Sequence, residues 1–493
     1  MKRLVSIAEQ AGITDHPVRQ TVARAISHNI IPSTNDLIRR HSYDVTEPEL
    51  AKYDDQLLRC IGRLLNLSEA ETKQLAIRLF LPIRLGGFGF VSFASLGIAI
   101  RLGALAASLL SVRDLLVAGD WITPDSVALP EINRLIERFK SQVQLDDPED
   151  DLYKDLELLR SLNAQEFQAT QDNVKTLNGL SSRLRRRVQT HVHKNWMATI
   201  NDTTHLLIRE KLNSGKAKES NVFLNAVLKE FRPHQIVDGK FIKLFRQRAL
   251  LRVVPPDIGI CPLCRDDTPD KNGRPTRQFP IDDYGEHLMK CPHFHKGAPH
   301  NGLQWATIKS FNKEFKNSLG LTIRPTPPLR QYKRSGVDLP KVDRQRQAEN
   351  PQADICIHDT LNQTTVIIDI RTCAMQMPTS AAEIGISLKT GEQEKLEHYK
   401  KHYVFPEGVK FIPFAIDTHG RWNDAFKDYV KELCLRKAEG RVNSPVYSMS
   451  LANIIRCISI AHARAVGGRI EEALRRIQNR NIDVIPKLSV RGY

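Results

Sequence analysis

The sequence predicts a multidomain protein: a mostly α-helical N-terminal half, a small Cys/His element, an α/β domain and a helical C-terminus. Three observations carry this. Apolar residues recur at helical spacing through the first 125 or so positions. Four metal-ligating residue types gather between Cys261 and Cys291. Two β-branched runs, DICIH and TTVIIDI, precede the helix-like KLEHYKKHY and a strand-length run, VKFIPFAID. The divisions fall at 1–125 (helical), 126–254 (helical and basic), 255–300 (Cys/His element), 301–440 (α/β) and 441–493 (C-terminal helices). A chain of 493 residues is long enough for three or so domains, each with its own core.

The charge is +16, with 72 Lys and Arg against 56 Asp and Glu, which points to polyanionic partners. Eight cysteines in this length, three of them close to a histidine, fit a reducing compartment and one metal site, not a disulfide framework. The first residues, MKRLVSIAEQAG, lack the apolar core of a signal peptide. The longest apolar stretch, Val91 to Leu110, carries Arg101 at its middle. A central arginine disfavours membrane insertion by about 3 kcal/mol, so this stretch reads as a buried helix and no membrane partner is expected.

In the helical half, Tyr53, Leu57, Ile61, Leu64 and Leu65 share one helix face. Ser68 and Glu71 form a capping box for the next helix, which ends before Pro82. In LPIRLGGFGF, Gly86, Gly87 and Gly89 allow a tight turn between helices. The phrase lacks the lysine-serine ending of a phosphate-cradling loop. Tyr53, Asp54 and Asp55 have helical context and lack the spacer of a polymerase motif, so the acids read as surface residues. The acidic run at 145–157, with Pro148 inside it, reads as a linker or a solvated helix start. From Ser181 to Leu250 there are 15 Lys and Arg against 5 Asp and Glu. Arg183, Arg185, Arg186 and Arg187 are either a solvated helix or a set of phosphate contacts, which position a nucleic acid without reading its sequence.

CPLC supplies Cys261 and Cys264, and DDYGEHLMKC supplies His287 and Cys291. Three thiolates and an imidazole at C-x2-C-x22-H-x3-C spacing close a tetrahedral zinc shell. With four ligands there is no open position, so the zinc is structural. Cys291 competes for the fourth place with His293, His295 and His300.

The α/β region carries the chemistry. If the hairpin loop is centred between Leu361 and Asn362, paired residue numbers sum to 723, and Asp354 faces Asp369 at the open end. Directly opposed side chains lie about 5 Å apart. Two carboxylates that close repel unless a cation sits between them, and hard oxygen ligands suit Mg²⁺ or Mn²⁺. Lys395 and Tyr399, four apart, share a face of the following helix. Two acids on a hairpin with a lysine nearby resemble the PD-(D/E)xK nuclease arrangement. Arg371 stands where that motif has lysine and cannot act as a base. Lys395 takes the role if its helix folds back over the hairpin.

The order of these pieces resembles the C-terminal half of non-LTR retrotransposon proteins that carry a restriction-like endonuclease. The phrases are LPIRLGGFGF (81–90), CPLC (261–264), DDYGEHLMKC (282–291), APHNGL (298–303), NPQADICI (350–357), VIIDIRT (366–372), KLEHY (395–399) and GVKFIPFAIDTHGR (408–421). The resemblance spans roughly residues 20 to 470. It implies that Asp354 and Asp369 hold the catalytic cation and that Lys395 and Tyr399 are the displaced lysine and its following tyrosine. It also makes Cys261, Cys264, His287 and Cys291 zinc ligands. Further, it implies a thumb-like region at 1–125, a nuclear location, a DNA target and element RNA as a possible partner. The family's Arg-Pro-Asp before the first strand is Gln352-Ala353-Asp354 here, with the acid kept. No polymerase palm motif occurs, and no polymerase activity is expected from this chain alone.

The reading is a Mg²⁺- or Mn²⁺-dependent DNA endonuclease that nicks target DNA so that reverse transcription is primed from the nick. Asp354 and Asp369 bind the cation, and Lys395 orients the attacking water or stabilises the developing charge. The competing class is an inactive nucleic-acid-binding zinc protein derived from such an element.

Overall fold

The computed structural model describes residues 1–12, 18–118, 128–161, 170–199, 206–220, 222–224, 236–255, 258, 261, 264, 266–269, 275–277, 281–291, 297–334, 352–375 and 384–484. These form two compact units: Met1–Gln10 with Val22–Asn201, and Ala11–Thr21 with Asp202–Tyr493.

The first unit is helical. Its elements are α1 (Lys2–Gln10), most of α2 (Val18–Ala25), α3 (Ile31–Arg40), α4 (Tyr43–Leu64), α5 (Glu69–Phe80), α6 (Phe93–Ala118), α7 (Ala128–Val143), α8 (Asp151–Ser161) and α9 (Gln171–Thr199). Leu57, Ile61, Leu64 and Leu65 are buried along one side of α4 and its C-terminus, as their spacing requires. Both halves of the Ser68–Glu71 capping box are formed, and α5 stops at Leu81, ahead of Pro82. The glycine phrase is the expected turn. Gly86 is left-handed (φ 83°). A Cβ on Gly87 would lie 2.1 Å from the Leu81 carbonyl oxygen, so only glycine fits. Arg101, inside α6, donates to Glu131 at 3.0 and 3.1 Å and to the Arg39 carbonyl at 2.7 Å. No helix among the described residues is long and apolar enough to cross a membrane.

Asp54 corrects the expectation of surface acids. It is buried, accepts from the Ser92 hydroxyl at 2.7 Å, and takes the Phe93 and Ala94 N–H groups at 2.9 and 3.0 Å. It caps α6 from a neighbouring helix, satisfying donors that a helix start leaves open. Asp55 is exposed, as expected.

The second unit contains α10 (Leu206–Gly215), α11 (Asp238–Arg248), a two-stranded ribbon of β1 (Asp266–Pro269) and β2 (Pro275–Arg277), α12 (Glu286–Lys290), α13 (Gly297–Leu319), β3 (Leu321–Pro325), β4 (Ile355–Asp359), β5 (Thr364–Cys373), α14 (Ile386–His402), β6 (Val409–Asp417), α15 (Asp424–Lys437) and α16 (Pro445–Val484). Strands β3 to β6 make a mixed sheet in sequential order: β3–β4–β5 antiparallel, then β6 parallel to β5. A parallel neighbour needs a crossover, and α14 supplies it. The β4–β5 register pairs Ile355 with Ile368 and Asp359 with Thr364, the expected hairpin.

Alternation along the strands assigns the two faces. Ile355, Ile357, Val366, Ile368 and Ile370 pack with Phe311 and Phe315 of α13, Phe426 of α15 and Ile458 of α16. Full burial of each such side chain is worth roughly 1.5–3 kcal/mol. On the opposite face, Ile367 meets Tyr399 and Tyr403. Asp369 is two residues on from Ile367, so it points to this second face, under α14. Gly391 lets α14 lie close. A Cβ there would sit 2.2 Å from the Cys373 sulfur. Lys395 is one turn further along the same helix face.

Candidate functional site

Two clusters of ionisable side chains stand out in the second unit. The first is the Cys/His group. The ligand atoms of Cys261, Cys264, His287 and Cys291 all lie within 4.8 Å of one another. All three cysteines are buried, and the Cys264 and Cys291 sulfurs are 3.2 Å apart. Burial pushes the Cys264 thiol above its usual range, with Cys291 adding to the rise. Sulfurs and an imidazole packed this closely fit a bound cation. The donor set of three soft sulfurs and an imidazole is that of zinc. The local chain builds the site in steps. Asp282 accepts from the Tyr284 and His287 N–H groups at 3.0 and 2.9 Å and thereby starts α12. Arg469 of α16 donates to the Leu288 and Cys291 carbonyls at 3.1 and 3.3 Å and holds its end. All eight cysteines are free. Among the described residues Cys291 completes the group of four, and His300 lies elsewhere, against Asp354. His293 and His295 lie outside the described residues.

The second cluster lies where β4 begins, beside the middle of β5. Asp354 sits one residue before β4, and its N–H donates to the Ile368 carbonyl at 3.1 Å. Its Oδ2 accepts from the Ile370 N–H at 2.5 Å. The paired register puts Asp369 beside it. Lys395 reaches across from α14, with Nζ 2.6 Å from Asp369 Oδ2. Tyr399, one turn later, is 3% exposed and stacks on Phe411 at 3.8 Å between ring centroids. Its hydroxyl lies against Asp369; burial, with the Asp369 charge adding, raises its pKa. Arg371, on the same face of β5, forms an ion pair with Glu394 of α14. These residues line a polar cleft of about 550 Å³ together with His300, Gln352, His398 and Tyr403.

The two carboxyls behave as a pair. Burial pushes Asp369 up to about 6; the Lys395 ammonium opposes the rise and Asp354 adds to it. For Asp354 burial also raises the pKa. The His300 hydrogen bond, the Asp369 contact and the Ile370 N–H outweigh it and hold Asp354 below the usual carboxylate range. Below about pH 6 the proton of the pair is held by Asp369, not by Asp354. A pair of oxygen ligands competing for one proton, open to a cleft, fits a hard divalent ion.

The sequence reading missed His300 as a neighbour of the acids. Its Nε2 lies 2.8 Å from Asp354 Oδ1. Gln304, one turn later on α13, donates to the Asp354 carbonyl at 2.6 Å. The i, i+4 spacing of His300 and Gln304 was visible; their target was not. No protein-family model matches the chain, and neither does any curated protein.

The arginines of α9 are arranged otherwise. Arg183 pairs with Asp155 of α8 at 2.6 Å and Arg187 with Asp150, the residue just before that helix, at 3.3 Å, so the acidic run serves them. Arg185 is half-buried, and burial lowers its pKa. Arg186 is exposed.

Proposed function

We propose that the second unit carries a structural zinc element followed by a Mg²⁺- or Mn²⁺-dependent DNA endonuclease of the PD-(D/E)xK type. The single observation that supports it most is the meeting of three charged groups from three parts of the chain. Asp354, Asp369 and the Lys395 ammonium converge at the mouth of one polar cleft. Two adjacent carboxylates on a hairpin with one lysine, facing solvent, suit hydrolysis of a phosphodiester better than they suit stability. A bound cation would supply phosphate polarisation and a more acidic water.

The chain's own residues do the rest. Asp354 and Asp369 would hold the cation through their oxygens. The Lys395 ammonium, beside Asp369, would hold the attacking water or the phosphoryl oxygens. Tyr399 stays on Asp369 and keeps that carboxylate in place. Arg371, held by Glu394, offers a guanidinium that can contact phosphate but is no general base. The zinc element is tied to α16 through Arg469 and takes no part in the reaction. The resemblance to restriction-like endonucleases of non-LTR elements makes target DNA the substrate, nicked to prime reverse transcription in the nucleus.

The test is plasmid nicking by the purified full chain with Mg²⁺, with Mn²⁺ and with EDTA. Metal-dependent nicking that disappears in D369A supports the reading. DNA binding without nicking in either metal overturns it in favour of an inactive nucleic-acid-binding zinc protein.

A further inference from the structure

We infer that His300 is a positioning residue for Asp354. It sets the orientation of that carboxylate and so determines how tightly the acidic pair holds its divalent cation. The inference rests on the cation-site reading above and deepens it.

The geometry begins with α13. His300 lies in its first turns and Gln304 one turn on, on the same helix face. Both reach the same residue. The imidazole Nε2 meets the Asp354 carboxylate at 2.8 Å, and the Gln304 amide donates to the Asp354 backbone carbonyl at 2.6 Å. That carbonyl also accepts from the Thr326 N–H at 2.8 Å, and the Asp354 N–H donates to Ile368. Asp354 needs this grip because it stands outside the β4 ladder, whose pairing starts at Ile355. Its backbone is thus held on three sides.

The side chain is held on two. Oδ2 takes the Ile370 N–H, and Oδ1 faces His300. Since a carboxylate oxygen accepts, Nε2 carries the hydrogen. Each oxygen keeps a further lone pair, so the carboxylate remains able to take a cation. Without His300, one end of the carboxylate has no fixed donor, and rotation about the side-chain bond competes with the cation-ready orientation. Outer partners of this kind change metal affinity by about 10–100-fold when removed. His300 is one-third exposed and belongs to no apolar core cluster among the described residues. Its replacement is therefore a local change.

The test measures cation binding, not turnover. Zinc-loaded full chain is titrated with Mn²⁺ and free Mn²⁺ is read by electron paramagnetic resonance, with D369A marking the signal that belongs to the acidic pair. H300A is expected to weaken that binding about tenfold or more. H300Q, whose amide can donate to the same oxygen, restores most of it. Zinc content stays at the parental level in both. Should H300A lose its zinc, H300Q is compared with H300L, which keeps bulk but not the donor. Mn²⁺ affinity unchanged in H300A, or H300Q as weak as H300L, overturns the positioning role. An imidazole-nitrogen coupling in the bound Mn²⁺ spectrum overturns it in favour of direct ligation. A parent chain that binds no Mn²⁺ through Asp369 overturns the cation site itself, and this inference with it.

Discussion

The second unit holds two clusters built for opposite ends. The Cys/His cluster brings four soft ligands together, and its three cysteines are buried. The acidic cluster brings two hard ligands, a lysine and a histidine to an open cleft. A saturated shell leaves a metal nothing to do but hold the chain. An open pair leaves coordination positions for water and substrate. The contrast predicts that damage to the first is read as lost structure, and damage to the second as lost chemistry.

The largest effect should come from the acids. D354A and D369A are expected to reduce nicking below detection while duplex binding and thermal stability stay near the parental values. If either variant unfolds, the acidic pair is a structural element like the Cys/His cluster and the contrast fails. The mirror experiment is C261S/C264S. Bound zinc should fall from about one per chain to none, with a lower melting temperature, because a structural zinc site contributes its binding energy to folding. A double variant that keeps its zinc breaks the assignment.

A smaller loss is expected at Lys395. K395A should slow nicking by about 10²–10³-fold, the usual effect of removing one group that stabilises transition-state charge. R371A should lose only part of the activity, since its guanidinium is already held by Glu394. The reverse ranking would move the catalytic cation to the strand.

The acidic cluster should also respond to pH. Asp369 has its pKa raised to about 6 in the cation-free protein. It is neutral below that value and charged above it. Mn²⁺ binding by the pair, followed by electron paramagnetic resonance, should therefore weaken as pH falls through about 6. The sign is opposite for folding. Asp369's contribution is fully present below the unfolded carboxylate pKa and is lost as pH rises through about 6, where added cation should restore it. D354N removes the neighbouring negative charge and should move the midpoint of Mn²⁺ binding to lower pH. An unmoved midpoint means the two carboxyls do not interact.

The smallest effect is expected on α9. Replacing Arg183, Arg185, Arg186 and Arg187 together should lower the salt slope of DNA binding by about 0.9, one contact's worth, and not by four. Arg183 and Arg187 are already occupied by Asp155 and Asp150. A drop of three or four contacts would mean that DNA displaces those carboxylates.

Residue spacing alone determined a good deal. The capping box at Ser68, the turn at Gly86, the Cys261–Cys264 knuckle and the β4–β5 register are all local, set by neighbours within a few positions or by a tight hairpin. The register brought Asp354 to Asp369 because a two-residue period leaves little freedom once the loop is fixed. His287 and Cys291 were legible because zinc demands a short list of residue types.

What the tertiary structure decided was long-range. Nothing near Asp54 in sequence says that it caps α6, about forty positions away. Nothing near Arg183 says that an acidic helix pairs with it. Lys395 reaches Asp369 only because Gly391 lets α14 lie close on β5. His300 carried the right chemistry for zinc as well as for Asp354. The path of α13 across the sheet edge chose between them, since a side chain finds its partner through the packing of the elements that carry both.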